Sequence, residues 1–320
     1  MTRTKILLML FSALIFFSCD KKATKQAIHE IKFIKVSDKI NLELLDWGGS
    51  GTPMLFLSGM GNSAHVFDGF APRFTDQFHV YALTRRGFGA SSQPKSGYNL
   101  AALSQDIMSV IDHLQLKKVI LVGHSIAGEE ITKIAADHPG KIEKIIYLDA
   151  AYDRTELSKI FAIMPQPPAP KSSDSASIEA VSKFEKRVNG ISMPSEELKQ
   201  VLVFSKEGKL LKSVTPDSIS GAMINLVVKP DYKKIKCSCL AIYAKFEKVK
   251  DIFAFYDTLD SLKNKSKARQ LFQLLTKFTT ESPRFFLKES KNGIVKTIKG
   301  HHYLFLSNPD ETEKLMRDFL

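Results

Sequence analysis

A serine hydroxyl becomes a useful nucleophile only when the chain holds it at a sharp turn beside a base. The stretch Val119-Ile-Leu-Val-Gly-His-Ser-Ile-Ala-Gly128 offers such a turn. Its opening apolar residues suit a buried strand of a parallel sheet. Glu129 to His138 reads as a helix, with Ile131, Ile134 and Ala135 on one face. Strand, small-residue turn and helix place Ser125 at the apex, with Gly123 and Ala127 keeping the crowded positions small. This is the pattern of a nucleophile elbow, with Ala127 where a literal Gly-x-Ser-x-Gly would have glycine. The helix start behind Ser125 supplies backbone N–H groups and a positive dipole end, which suit a developing oxyanion.

A base must come from elsewhere in the chain. Of the eight histidines, His79 opens a strand, and His113 and His138 sit near helix ends. His29 falls in a tether before the fold, and His124 adjoins the serine but points elsewhere in such a turn. His65 follows an early loop and is expected near the pocket, while His301 and His302 share a loop near the end of the chain.

The elements that must bring these groups together are legible in outline. Ile31–Val36 and Ile40–Trp47 alternate as an antiparallel hairpin. Met54–Leu57, His79–Leu83, Val119–Val122, Lys144–Leu148, Leu240–Ala244 and Ile294–Ile298 read as further strands. Ala101–Leu114 has helical spacing, Asp251–Thr279 is helical, and Asn308-Pro-Asp-Glu311 starts a last helix. This alternation argues for a parallel sheet with its functional loops at the carboxyl ends of the strands. The rhythm breaks from Arg154 to Lys236, where amphipathic helices are predicted at Ile178–Val188, at Ser195–Phe204 with Ser195 as N-cap, and from Thr215 towards Val228, with no buried strand. That segment, residues 154–236, reads as a helical cap inserted into a core made of residues 31–153 and 237–320.

The composition sets bounds. The chain has 320 residues, 44% hydrophobic and 25% charged, which are globular proportions. The net charge of +12 comes from dispersed lysines with no interleaved aromatics, which argues against nucleic acid and is compatible with mild attraction to an anionic membrane. Residues 1–18 have a short basic start and an apolar run, the layout of a signal peptide. The segment resembles a bacterial lipoprotein signal, which implies lipid modification of Cys19, a tether over residues 19–30, and an exported, membrane-anchored protein. Cys237 and Cys239, two apart on a strand, read as free thiols and cannot complete a metal set.

Four motifs then fall in order: Leu57-Ser-Gly-Met-Gly61, Arg86-Gly-Phe-Gly-Ala-Ser91, the Ser125 turn, and Gly300-His-His302. Together they resemble the α/β-hydrolase superfamily over about residues 31–320. The resemblance implies a mostly parallel eight-stranded sheet with helices on both faces and a helical cap after the sixth strand. It implies Ser125 as nucleophile, His302 as base with His301 in reserve, and an oxyanion hole from the N–H groups of Ile126 and Met60. Two positions compete for the acid: Asp149 after the sixth strand, which is favoured, and Glu247 in Ala244-Lys-Phe-Glu247 after the next, with Asp153 third. Arg86 and Gly87 read as structural, and Glu129 and Glu130 as dipole-matched helix starts. The implied activity is hydrolysis of an ester-like bond of a small acyl substrate through an acyl-enzyme, with no cofactor or metal. The competing expectations are a non-catalytic ligand-binding lipoprotein on the same scaffold and a hydrolase of amide or C–C bonds.

Overall fold

The structure is a computed structural model describing residues 29–155, 163–224, 227–259 and 261–320. The signal-peptide reading of residues 1–18 and the lipidation of Cys19 lie outside the described residues.

The chain opens with β1 (Glu30–Ser37) and β2 (Ile40–Gly48), paired antiparallel as their alternation requires. β3 (Pro53–Leu57), β4 (His79–Leu83), β5 (Val119–His124) and β6 (Ile142–Leu148) follow, with α1 (Leu100–His113) and α2 (Ala127–Asp137) between the later strands. The segment that follows carries β7 (Leu202–Phe204) and β8 (Leu210–Ser213), and after it come β9 (Ser238–Lys245), a long helix (Leu262–Glu289), β10 (Gly293–Lys299) and a closing helix (Pro309–Phe319). The eight strands of the main sheet run in the order β1-β2-β4-β3-β5-β6-β9-β10. β2 meets β4 antiparallel, and every pairing from β4 to β10 is parallel. This is the α/β-hydrolase sheet that the resemblance implied.

Strand periodicity decides the two cores. Leu55, Leu57, Val119 and Leu121 pack on one face with Ile107, Ile111, Ile131 and Ile134 of α1 and α2. Met54, Phe56, Ile120 and Val122 point the other way, towards Phe67, Phe70, Phe74 and Met316. Helical elements therefore cover both faces, and all sixteen of these side chains are buried.

Three local expectations change. The helix predicted over Ser195–Phe204 stops at Val201, because Leu202-Val203-Phe204 prefers an extended backbone and pairs as β7 with β8 (Leu210–Ser213). Gly208, at φ +86°, makes the intervening turn. Ser195 is the first helical residue rather than the cap, a position that Pro194 takes. The helix predicted over Asp251–Thr279 instead begins after Ser261, whose Oγ accepts the Asn264 N–H at 3.2 Å, and runs through Pro283 to Glu289. Burial of Phe286 against Tyr147 and Tyr232 carries it past a residue that cannot donate a backbone hydrogen bond.

Candidate active site

β5 delivers Ser125 to the carboxyl edge of the sheet. Its φ of +55° is left-handed, unusual for a residue with a Cβ. The turn is clamped from several sides. The Ser125 N–H donates to the Leu148 carbonyl at 3.2 Å, tying it to β6. Gly128 lies against the loop after β6 so closely that an added Cβ would sit 2.1 Å from the Ala150 oxygen. No larger residue fits there without moving backbone.

β6 ends in a second left-handed residue, Asp149, at φ +47°. Its N–H donates to the Ile242 carbonyl of β9 at 2.8 Å. Its carboxylate is buried and fully engaged. Oδ1 accepts the Ala244 N–H at 2.9 Å and the Tyr152 hydroxyl at 2.5 Å. Oδ2 faces Nδ1 of His302 at 2.5 Å. An ionised carboxylate can only accept, so that contact puts the imidazole proton on Nδ1 and leaves Nε2 as the base.

His302 sits half-buried in the loop after β10. Its carbonyl accepts from Nε2–H of His124, 3.2 Å away, and the two rings lie 4.6 Å apart. Burial pushes the His124 pKa well down, so this histidine packs as a neutral support. His301 is committed elsewhere: its Nε2 donates to the Asn189 carbonyl at 2.7 Å and its Nδ1 accepts the Tyr303 N–H at 3.2 Å. Glu247 is exposed and paired with Lys299 at 2.5 Å, whose ammonium holds its carboxyl below the usual range. Asp153 bonds the Thr155 N–H and hydroxyl at 3.1 and 2.7 Å. Of the proposed acids, only Asp149 meets a histidine of the late loop.

Ser125, Asp149 and His302 border one cavity of about 290 Å³. Its apolar wall includes Met60, Ile126, Phe246, Ile252, Leu275 and Phe278. Among the described residues no hydrogen bond joins the Ser125 hydroxyl to His302, a contact that in unliganded enzymes often tightens only when substrate is seated. Also among the described residues, no protein acceptor takes the N–H of Met60 or of Ile126, so both donors remain available beside the serine.

Several groups here were not legible beforehand. Arg154 borders the cavity and donates to the carbonyls of Ser125 and Ala150 at 2.8 and 3.0 Å, bracing the turn from behind. Its partner is Glu129 at 3.4 Å, whose carboxyl burial pushes up to about 7 despite the guanidinium. Glu129 is thus more than a dipole-matched helix start, and Glu130 is likewise buried in a bidentate pair with Arg85. Glu197 of the inserted segment is fully buried. It accepts from Asn62 Nδ2 at 2.8 Å and shares a 2.5 Å bond with the Ser63 hydroxyl. Asn62 in turn accepts from the Tyr303 hydroxyl at 2.9 Å, which links the insertion, the Met60 loop and the His302 loop. Arg86 is structural as expected, forked onto Asp106 at 2.5 Å. His65 is a correction: it does not border the cavity but lies buried against Asp68.

The chain resembles known proteins over this same framework. Residues 52–187 match the sequence profile of a family described as alpha/beta hydrolase fold. A 2-(acetamidomethylene)succinate hydrolase of Mesorhizobium japonicum is 34% identical over 109 residues, covering 34% of this chain and 39% of that protein. A non-heme chloroperoxidase of Streptomyces lividans is 31% identical over 120 residues, 37% of this chain and 44% of its own length. The matched region thus spans about two fifths of these curated relatives. The crystal structure of an E-2-(acetamidomethylene)succinate hydrolase superposes with a TM-score of 0.64 at 20% identity, covering 91% of this chain and 99% of that one.

Proposed function

Starting from the α/β-hydrolase fold of this chain, we propose that it is a serine hydrolase cleaving a carboxylic ester-like bond of a small acyl substrate. The observation that carries the reading is the 2.5 Å contact between buried Asp149 and His302 at the mouth of the cavity that Ser125 also borders. In the proposed reaction His302 Nε2 takes the Ser125 proton as the hydroxyl oxygen attacks the acyl carbon. The N–H groups of Ile126 and Met60 receive the oxyanion. His302 then protonates the leaving alcohol, and water, deprotonated by the same imidazole, hydrolyses the acyl-serine. Asp149 steadies the imidazolium and its tautomer. The wall of Ile252, Leu275 and Phe278 favours an apolar acyl chain.

A fluorophosphonate probe tests the nucleophile. Labelling of the folded wild type that disappears in Ser125→Ala supports the reading, whereas no labelling of folded wild type supports the binding-protein alternative. A panel of p-nitrophenyl esters of increasing chain length, with matched anilides, then separates ester from amide cleavage. The amide arm matters because one relative is named for an acetamido substrate. Export and anchoring through Cys19 belong to the same proposal: incorporation of a labelled fatty acid should vanish in Cys19→Ala. No helix among the described residues is long and apolar enough to cross a membrane.

A further inference from the structure

Away from the cavity, the start of β1 and the turn after the Met60 loop enclose a second polar cluster. His29, just before β1, His65 in the 3-10 turn Ala64–Phe67, and Asp68 at the end of that turn each bring one ligand-type atom within 4.8 Å of the other two. His29 Nδ1 and Asp68 Oδ1 are 3.7 Å apart. Glu43 of β2 stands beside them, its Oε1 3.7 Å from His65 Nε2, beyond hydrogen-bond reach. The edge of Trp47 closes the cluster, its ring 5.3 Å from His29.

Two features set this cluster apart from an ordinary buried polar group. Seven buried side-chain atoms among the described residues lack a hydrogen-bond partner, and four of them are here: His29 Nδ1, His65 Nε2 and Asp68 Oδ1, with the donor-only Nε1 of Trp47 at the edge. Leaving such buried atoms unpaired is costly, so the convergence of His29 Nδ1, His65 Nε2 and Asp68 Oδ1 calls for a common partner. The second feature is charge. Asp68 and Glu43 are both buried, and among the described residues no Lys or Arg pairs with either. Glu43 has only the Thr84 hydroxyl at 2.6 Å on its other oxygen. A divalent ion supplies two charges and gives the unpaired atoms a partner.

We propose that His29, His65 and Asp68, with Glu43 alongside, form a structural site for a divalent transition metal of the zinc type. Two imidazole nitrogens and a carboxylate oxygen disfavour magnesium and calcium, which take oxygen ligands, and suit Zn²⁺ or Co²⁺. Tetrahedral bonds of roughly 2.0–2.1 Å place ligand atoms about 3.3 Å apart, so side-chain adjustments of about 1 Å or less gather the set. Asp68 Oδ2, 3.0 Å from His65 Nδ1, orients that ring. The ion would fasten the start of the first strand to the turn that follows the Met60 loop, a role in folding rather than in the reaction.

The full chain, purified in mild detergent and stripped with a chelator, is titrated with Co²⁺ and then Zn²⁺ alone. The expected result is one ion per chain, the visible absorption of tetrahedral Co²⁺, its displacement by Zn²⁺, and a raised melting temperature. His29→Ala and Asp68→Asn should each weaken binding at least roughly tenfold and remove the Co²⁺ spectrum. Ser125→Ala and the pair Cys237→Ser, Cys239→Ser should bind as the wild type does. His29 lies at the edge of the fold, so its variant stays testable even if Asp68→Asn unfolds. No stoichiometric ion, or equal affinity in folded His29→Ala, overturns the site.

Discussion

Replacing Asp149 by asparagine isolates the carboxylate charge while keeping its shape. The surrounding contacts dictate which way the new amide must face. The Oδ1 position receives the Ala244 N–H at 2.9 Å and the Tyr152 hydroxyl at 2.5 Å, two donors that require an oxygen. The amide nitrogen is therefore forced into the Oδ2 position, 2.5 Å from His302 Nδ1. There it donates, Nδ1 must accept, and the imidazole proton moves to Nε2. The histidine then presents a donor to Ser125 where the reaction needs an acceptor. Every hydrogen bond remains made, so the fold should survive, with a melting temperature within roughly 5 °C of wild type. Turnover should fall roughly 10⁴-fold, about 5 kcal/mol of transition-state stabilisation, the scale of a wrong-tautomer substitution in a serine triad. The assay is kcat/KM on p-nitrophenyl butyrate for wild type, Asp149→Asn and Glu247→Gln, with fluorophosphonate labelling in parallel. Glu247→Gln should stay within about twofold of wild type, since its carboxylate is exposed and paired with Lys299. Folded Asp149→Asn that keeps more than a tenth of wild-type activity, or a Glu247→Gln that loses as much, would refute the tautomer argument.

Further perturbations separate structure from chemistry. Burial raises the Glu197 carboxyl to about 7 from 4.5, so the folded chain holds a proton there that the unfolded chain releases. Its contribution is therefore fully present below about pH 4.5 and lost as pH rises through 7, on the order of 3 kcal/mol in all. Between pH 5 and pH 9 the urea midpoint of Glu197→Gln should fall less than that of the wild type, Glu129 being one of the groups that sustain the remaining slope; an unchanged slope counts against the assignment. Gly128→Ala forces a Cβ to within 2.1 Å of the Ala150 oxygen and should cost at least roughly 1–3 kcal/mol in denaturant titration, while Gly140→Ala, with open space around it, should cost far less; equal losses would contradict the contact. At φ +55° a side chain is strained, so Ser125→Gly should melt higher than Ser125→Ala by the equivalent of about 1 kcal/mol, and the reverse order would show that the turn carries no such strain.

The sequence reveals most where local pattern and tertiary role coincide. Alternation in Ile40–Trp47 and the apolar runs at Met54 and Val119 mark strands because their pleat decides which core each side chain enters. Ser125 is recognisable because a strand, a small-residue turn and a helix are contiguous. Asp149 is harder: choosing it over Glu247 depends on which strand end faces His302, a matter of sheet order rather than of neighbours along the chain. Arg154, Glu197 and the cluster of His29, His65 and Asp68 are invisible for the same reason. Apart from the local His65–Asp68 and Arg154–Ala150 contacts, their partners lie tens to more than a hundred residues away, and an isolated arginine or glutamate in a sequence reads as surface. Leu202–Phe204 was misread because three residues are too few for helix and strand periods to differ.

The helix Leu262–Glu289 joins regions that sequence order keeps apart. Ala268 and Leu271 belong to a small apolar cluster with Val188 of the insertion, Leu275 and Phe278 face the cavity, and Phe286 is lodged between Tyr147 and Tyr232. About two helical turns separate Phe278 from Phe286. A single rod thus gauges the calibre of the chamber from the depth at which its far end is seated. Repacking around Phe286, with no residue of the chamber touched, would shift which of the proposed acyl substrates the chamber admits.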